Sequence, residues 1–208
     1  MMDVYSINSK HYQRITLHSF SVRIVTSLCI LFAGFLLPAC TQSRCPEESS
    51  LYGKMNQEII CYRNQQEKHG VHVRWHTGGK HKKFERSYDH NILDGSYKEW
   101  YSNGQLKLSL NYNRGQLDGS YQRWFSNGQI HIKTRYSDNT RVGPFLEYYK
   151  NGRKRFEYNY DALGKFEGDQ IEYRLNGYKL RKRVYTQGRL IGKMSWNLRG
   201  RMDPVLNF

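Results

Sequence analysis

The stretch DGSYKEWYSNGQLKLSLNY, residues 94–112, is followed five residues later by DGSYQRWFSNGQIHIKTRY, residues 118–136. Two near-copies of that length make a structural unit, and the unit extends in both directions. Its opening glycines are Gly70, Gly95, Gly119, Gly143, Gly168 and Gly192, spaced by 25, 24, 24, 25 and 24 residues. A fixed period in this range is the signature of a repeat architecture. Nine residues after the first five lie Gly79, Gly104, Gly128, Gly152 and Gly177, the last four preceded by Asn103, Asn127, Asn151 and Asn176. Gly200 in the sixth unit comes one residue early.

Asn-Gly between alternating runs predicts a hairpin closed by a type I′ turn, in which both central residues take positive φ. Each unit then reads as one hairpin, with strand one like Ser96–Tyr101 and strand two like Leu106–Tyr112. Strand two alternates cleanly: Leu106, Leu108, Leu110 and Tyr112 on one face, Lys107, Ser109 and Asn111 on the other.

Two aromatic columns run through the array. Trp75, Trp100, Trp124, Tyr148 and Tyr173 stand five residues after an opening glycine, and Trp196 joins them if the last unit carries a one-residue deletion. The second column is Tyr88, Tyr112, Tyr136, Tyr160 and Tyr185; Tyr62 keeps the same spacing to Gly70, which predicts a degenerate half-unit before the first full one. A stacking platform for sugars, bases or peptides is one reading of such rings. Packing between neighbouring units is the other.

The pattern GxYxxWYxNGQL at Gly95–Leu106 resembles the MORN-variant repeat found in many bacterial proteins, and the resemblance covers about residues 69–200. It implies an all-β array of about six antiparallel hairpins in one elongated, curled sheet with aromatics along one side. It implies little about chemistry. The physics agrees: one hairpin cannot bury its apolar face alone, so stability accumulates as units stack. Caps are expected at residues 45–68 and at MDPVLNF, Met202–Phe208.

The N-terminus reads as an export signal. Ile24–Leu37 is mainly apolar but shorter than a membrane-spanning helix, and it ends in Leu37-Pro38-Ala39-Cys40. That ending resembles a bacterial lipobox, which implies that Cys40 is lipidated and becomes the first mature residue. The predicted organisation is a signal peptide over 1–39, a lipidated N-terminus, linker and cap over 40–68, and the repeat domain over 69–208. An ordinary cleaved signal or an anchor helix is the alternative. The absence of an acidic residue at Thr41 and Gln42 resembles outer-membrane sorting on the periplasmic side, in a host with two membranes. Of the four cysteines, Cys29 leaves with the signal and Cys40 takes lipid. Cys45 and Cys61 remain, an even pair in an oxidising compartment, and a disulfide between them is expected.

The formal charge is +15, and Lys10, Arg14 and Arg23 against Asp3 leave most of it outside the signal. Such a charge points to acidic partners: a protein, anionic lipid or cell-wall polymer. Nucleic acid is not expected to meet an exported chain. One unit breaks the pattern. Lys179, Arg181 and Arg183 stand where other units carry Leu106, Leu108 and Leu110; Lys182 adds charge on the other face, and Arg153, Lys154 and Arg155 precede them. These seven are the candidate partner-binding residues, weighed against a terminal unit that tolerates charge.

Catalysis is not expected: the chain has no nucleophile motif, no phosphate loop and no CxxC, and no cofactor is implied. Asp94 and Asp118 occupy equivalent repeat positions, where turn chemistry explains them. His69, His72, His76 and His81 invite a metal reading, but on one strand His72 and His76 lie roughly 13 Å apart at about 3.3 Å per residue, too far to share an ion. Only hairpin pairing would bring histidines from two strands together. The expected role is therefore protein binding, as an immunity protein or antitoxin against an envelope-targeting toxin, or as an envelope scaffold on anionic lipid or polymer.

Overall fold

A computed structural model describes residues 45–46 and 48–203. Cys40 and the whole export signal lie outside the described residues, as do 204–208 of the proposed C-terminal cap. The described residues form thirteen strands and no helix. They are β1 (Ser49–Lys54), β2 (Glu58–Arg63), β3 (Glu67–Trp75), β4 (Lys82–Asp89), β5 (Ile92–Trp100), β6 (Leu106–Asn113) and β7 (Gln116–Trp124). The series continues through β8 (Ile130–Ser137), β9 (Thr140–Tyr148), β10 (Lys154–Tyr160), β11 (Gly168–Tyr173), β12 (Lys179–Thr186) and β13 (Arg189–Ser195). Each strand pairs antiparallel with the next, giving one open sheet in sequence order. The all-β repeat array expected from the period is the observed fold.

Two kinds of turn alternate along the sheet. At the Asn-Gly turns the expectation of a type I′ geometry is corrected. Gly104 has φ 86°, but Asn103 is not left-handed. Gly104 N–H donates to the Tyr101 carbonyl and Tyr101 N–H to the Gln105 carbonyl, both at 2.9 Å. This is a three-residue loop, a tight turn followed by one left-handed glycine. Asn103 is selected for its amide: Oδ1 accepts from Gln105 N–H at 3.1 Å, and Nδ2 donates to the Ser126 carbonyl of the next unit at 2.9 Å.

Two-residue turns with both residues left-handed occur instead at five of the six junctions between units, the β10–β11 junction being a three-residue loop with Gly164 left-handed. They are Asn64–Gln65, His90–Asn91, Arg114–Gly115, Asp138–Asn139 and Gln187–Gly188. The first strand of each unit consequently starts earlier than Ser96–Tyr101 suggests: β5 begins at Ile92. The opening glycine sits inside that strand, where the register against the preceding strand slips between Arg86 and Tyr88. Gly95 there has φ 91° and faces Tyr112 on the next strand. A bulge needs a residue that accepts positive φ, which is why the glycine recurs. The half-unit expected at Tyr62 is a complete hairpin, β1–β2.

Cross-strand pairing sorts the residues onto two faces. The first carries the row Phe84, Glu99, Leu108, Arg123, Ile132, Glu147, Phe156, Glu172 and Arg181. Beside it on the same face run Tyr97, Leu110, Tyr121 and Thr134. The second face carries Lys98, Ser109, Gln122 and Lys133. Eight described residues are buried, and five of them (Ile59, Ile60, Cys61, His72 and Val73) lie on β2 and β3. Consecutive buried residues mean that both faces are covered there. The Cys45–Cys61 disulfide, with Cα atoms 5.6 Å apart, holds the chain at Cys45–Pro46 against the sheet. Farther along, Leu110, Thr134 and Phe145 are buried, all on the first face.

Candidate functional site

The column of Trp75, Trp100, Trp124, Tyr148, Tyr173 and Trp196 is half-buried throughout. Its members are joined through their backbone by the following residue of the preceding unit. His76 Nε2–H donates to the Trp100 carbonyl at 2.9 Å, and Tyr101 hydroxyl to that of Trp124 at 2.8 Å. Tyr149 hydroxyl reaches the Tyr173 carbonyl at 2.8 Å, and Arg174 Nη2 that of Trp196 at 3.0 Å. Phe125 stands at the same position without a donor and stacks on His131, centroids 4.1 Å apart. Trp196 also pairs with Met202, as Trp100 pairs with Leu106. That places Trp196 in the column.

The tyrosine column packs ring to ring on the first face. Tyr97 meets Tyr112 at 6.1 Å, Tyr121 meets Tyr136 at 5.8 Å, and Phe166 bridges Tyr160 and Tyr185 at 4.9 and 5.1 Å. Burial, helped by the Glu99 carboxylate, pushes the Tyr97 hydroxyl up to about 12. These rings hold neighbouring strands together.

The seven candidate cations fall in two groups, and each already touches the protein. Arg153 is exposed and donates to the Leu175 carbonyl at 3.3 Å. Lys154 pairs with Glu157 at 3.0 Å and Arg155 with Glu147 at 2.8 Å. Lys179 lies over the Trp196 ring at 5.6 Å, Arg181 pairs with Glu172 at 2.6 Å, and Arg183 donates to Gln170 at 3.0 Å. Lys182 turns to the second face and pairs with Asp169 at 2.6 Å. Charge at the leucine positions of β12 is therefore matched by Glu172 and Gln170 on β11. The inward carboxylates are similarly occupied in other units. Glu99 accepts from Tyr97 and Lys107, both at 2.8 Å. Partial burial acts to raise its pKa, but these two donors outweigh it and hold the carboxyl below its ordinary value.

The four histidines do not converge. His72 Nε2 lies 2.7 Å from Glu58, and His76 is spent on Trp100. Burial lowers the pKa of His72, with Glu58 opposing. Sequence reasoning missed a different group, which strand pairing assembles: His69 on β3 with Asp89 and His90 at the end of β4.

The sequence profile of the MORN repeat variant matches residues 93–114, 117–138 and 141–162. Three consecutive units are MORN-variant repeats. Each matched stretch runs from just inside one junction turn to the next, which is the structural unit of the sheet. MORN repeats generally mediate binding to proteins or membranes, and strands β5–β10 of this sheet belong to the three matched units. No curated protein matches the chain.

Proposed function

We propose that the protein is an exported, lipid-anchored binding module that holds a partner protein on its repeat sheet and neutralises it, the partner being a toxin aimed at the cell envelope. One observation carries this reading: among the described residues thirteen strands form a continuous sheet with only eight buried residues, so beyond β2–β3 a long, ordered surface stays open. The charge of +15 steers an acidic partner to it and raises the association rate more than the final affinity. Arg153, Lys154, Arg155, Lys179, Arg181, Lys182 and Arg183 supply the contact set. Their carboxylate, carbonyl, amide and ring partners hold them in place, and an acidic partner competes for their remaining donors.

The test is protection. Cells producing the protein should survive an acidic envelope toxin encoded beside it, and Arg153→Glu with Lys179→Glu should slow binding and lose protection. Full protection by that double variant excludes the cationic surface, and no rescue against any neighbouring toxin candidate excludes neutralisation. Lipid anchoring has its own readout: Cys40→Ala should leave an uncleaved, unlipidated precursor, and normal processing would contradict it.

The second face favours one other reading. Lys98 and Lys133 flank Ser109 and Gln122 in a single row of cations and neutral polar residues, with Glu85 opposite Lys98 at its end. Lysines near an anionic bilayer contribute about 1 kcal/mol each, so this face suits an envelope scaffold. Salt-sensitive flotation with anionic liposomes, abolished by Lys98→Glu and Lys133→Glu, would select it.

A further inference from the structure

The junction between β4 and β5 differs in its side chains from the other two-residue junctions of the array. His90 occupies a left-handed turn position, φ 47°, which Asn64, Arg114, Asp138 and Gln187 fill elsewhere. The turn does not require histidine. Asp89, one residue past the column tyrosine, corresponds to Asn113 and Ser137, and His69, just before an opening glycine, corresponds to Asp94, Asp118 and Val142. The β3–β4 register sets Gly70 opposite Tyr88 and so brings His69 alongside Asp89.

The three side chains aim at one point. Asp89 Oδ1 lies 3.1 Å from His69 Nδ1 and contacts His90 Nδ1 at 2.5 Å. All three ligand atoms lie within 4.8 Å of one another. His69 Nδ1 is buried from solvent and makes no hydrogen bond, its contact with Asp89 being poorly aimed for one. A buried imidazole nitrogen with no aligned hydrogen bond is costly, and nitrogen and carboxylate together are the donors a metal takes. Half-exposed Asp89 and His90 leave a fourth position open to water.

We infer that His69, Asp89 and His90 form a binding site for a divalent transition ion of the zinc class. Two imidazoles and one carboxylate are borderline donors suited to such an ion rather than to calcium or magnesium. Donor bonds of about 2.0–2.1 Å place tetrahedral ligand atoms about 3.3 Å apart, so the His90–Asp89 gap opens by less than about 1 Å on binding. Arg63 sets the cost of that change. Its guanidinium donates to His90 Nε2 at 2.9 Å while also holding Glu48 at 2.6 Å. That bond keeps the imidazole proton on Nδ1, the atom the metal needs. On metal binding the proton moves to Nε2 and Arg63 turns wholly to Glu48.

The experiment is calorimetric titration of the full chain with zinc chloride alone, checked by the visible spectrum of the cobalt form. The expected result is saturable binding lost in His69→Asn and in His90→Asn but kept in His81→Asn. Arg63→Gln, whose amide oxygen accepts the Nε2 proton, should tighten binding roughly tenfold, the size of effect typical of outer-shell partners. This gain distinguishes a site from a folding defect and decides the matter if the histidine variants misfold. No binding by the full chain, equal loss in His81→Asn, or unchanged or weaker binding by Arg63→Gln overturns the proposal.

Discussion

At the residue scale, positive φ and close approach decide which positions tolerate change. Gly70 has φ 99°, and a Cβ there would lie 2.5 Å from Pro46 Cδ and 3.2 Å from Cys61 Cβ. Gly70→Ala should cost on the order of 2–3 kcal/mol, combining left-handed strain with overpacking, measurable by urea unfolding. Arg141 is the opposite case. It stands among the rings of Tyr136, Phe145 and Tyr160, 5.5, 5.0 and 5.6 Å from their centroids. Leu93 and Leu117 occupy its place opposite the column tyrosine elsewhere. Arg141→Leu should therefore change stability by less than about 1 kcal/mol, and Arg141→Ala by more. His72 gives a pH dependence. Burial depresses its folded pKa below the ordinary 6.5, so the unfolded chain binds more protons. Its contribution is full above that value and declines as pH falls from 6.5 toward the folded pKa. His131, lowered mainly by burial, acts in the same direction. Thermal midpoints should fall from pH 7.5 to about 5.5, with a smaller fall in His72→Gln; an equal slope would exclude His72 as a source.

At the element scale, the Asn-Gly hairpins were legible because their chemistry repeats: glycine supplies the left-handed residue and asparagine the amide that caps its own turn and reaches the next. The turn class was not legible, because a tight turn plus glycine and a type I′ turn share the same two letters. The junction turns escaped for another reason. His90–Asn91, Arg114–Gly115 and Asp138–Asn139 share a tolerance for positive φ and no residue identity. The cross-strand group of His69, Asp89 and His90 escaped because the β3–β4 register, with its slip between Arg74 and Trp75, and the turn position of His90 are not written in strand alternation. The hydrogen bonds between units make a directional prediction. Phe125→Tyr restores the donor that Tyr101 and Tyr149 supply and should gain about 0.5–1 kcal/mol, while Tyr101→Phe should lose a similar amount. The disulfide closes a separation of 16 residues over the most buried strands. Cys61→Ser should cost about 3 kcal/mol and first loosen β1–β3, seen as lost amide protection there.

At the scale of the whole molecule, contacts run between neighbours along an array with little shared core. Stability accumulates unit by unit, and the sheet serves as a platform whose two faces differ in character. The first face spends its rings and carboxylates on holding strands together, and the second sets lysines among neutral polar residues in its middle and among carboxylates toward its ends. The seven cations singled out in the sequence are bonded within the protein on both faces, Arg155 and Arg181 to carboxylates of the first and Lys154 and Lys182 to carboxylates of the second. A charge-rich β12 satisfies its own sheet first, and what it offers a partner is ordered geometry and residual positive potential. Partner binding is measured most directly by recovering the full-length protein, tagged at its C-terminus and solubilised from its own cells in moderate salt, and quantifying what remains bound. One acidic protein at a fixed stoichiometry is expected, released by raised salt and by Arg153→Glu with Lys179→Glu. Recovery of lipid or cell-wall fragments alone would contradict protein binding.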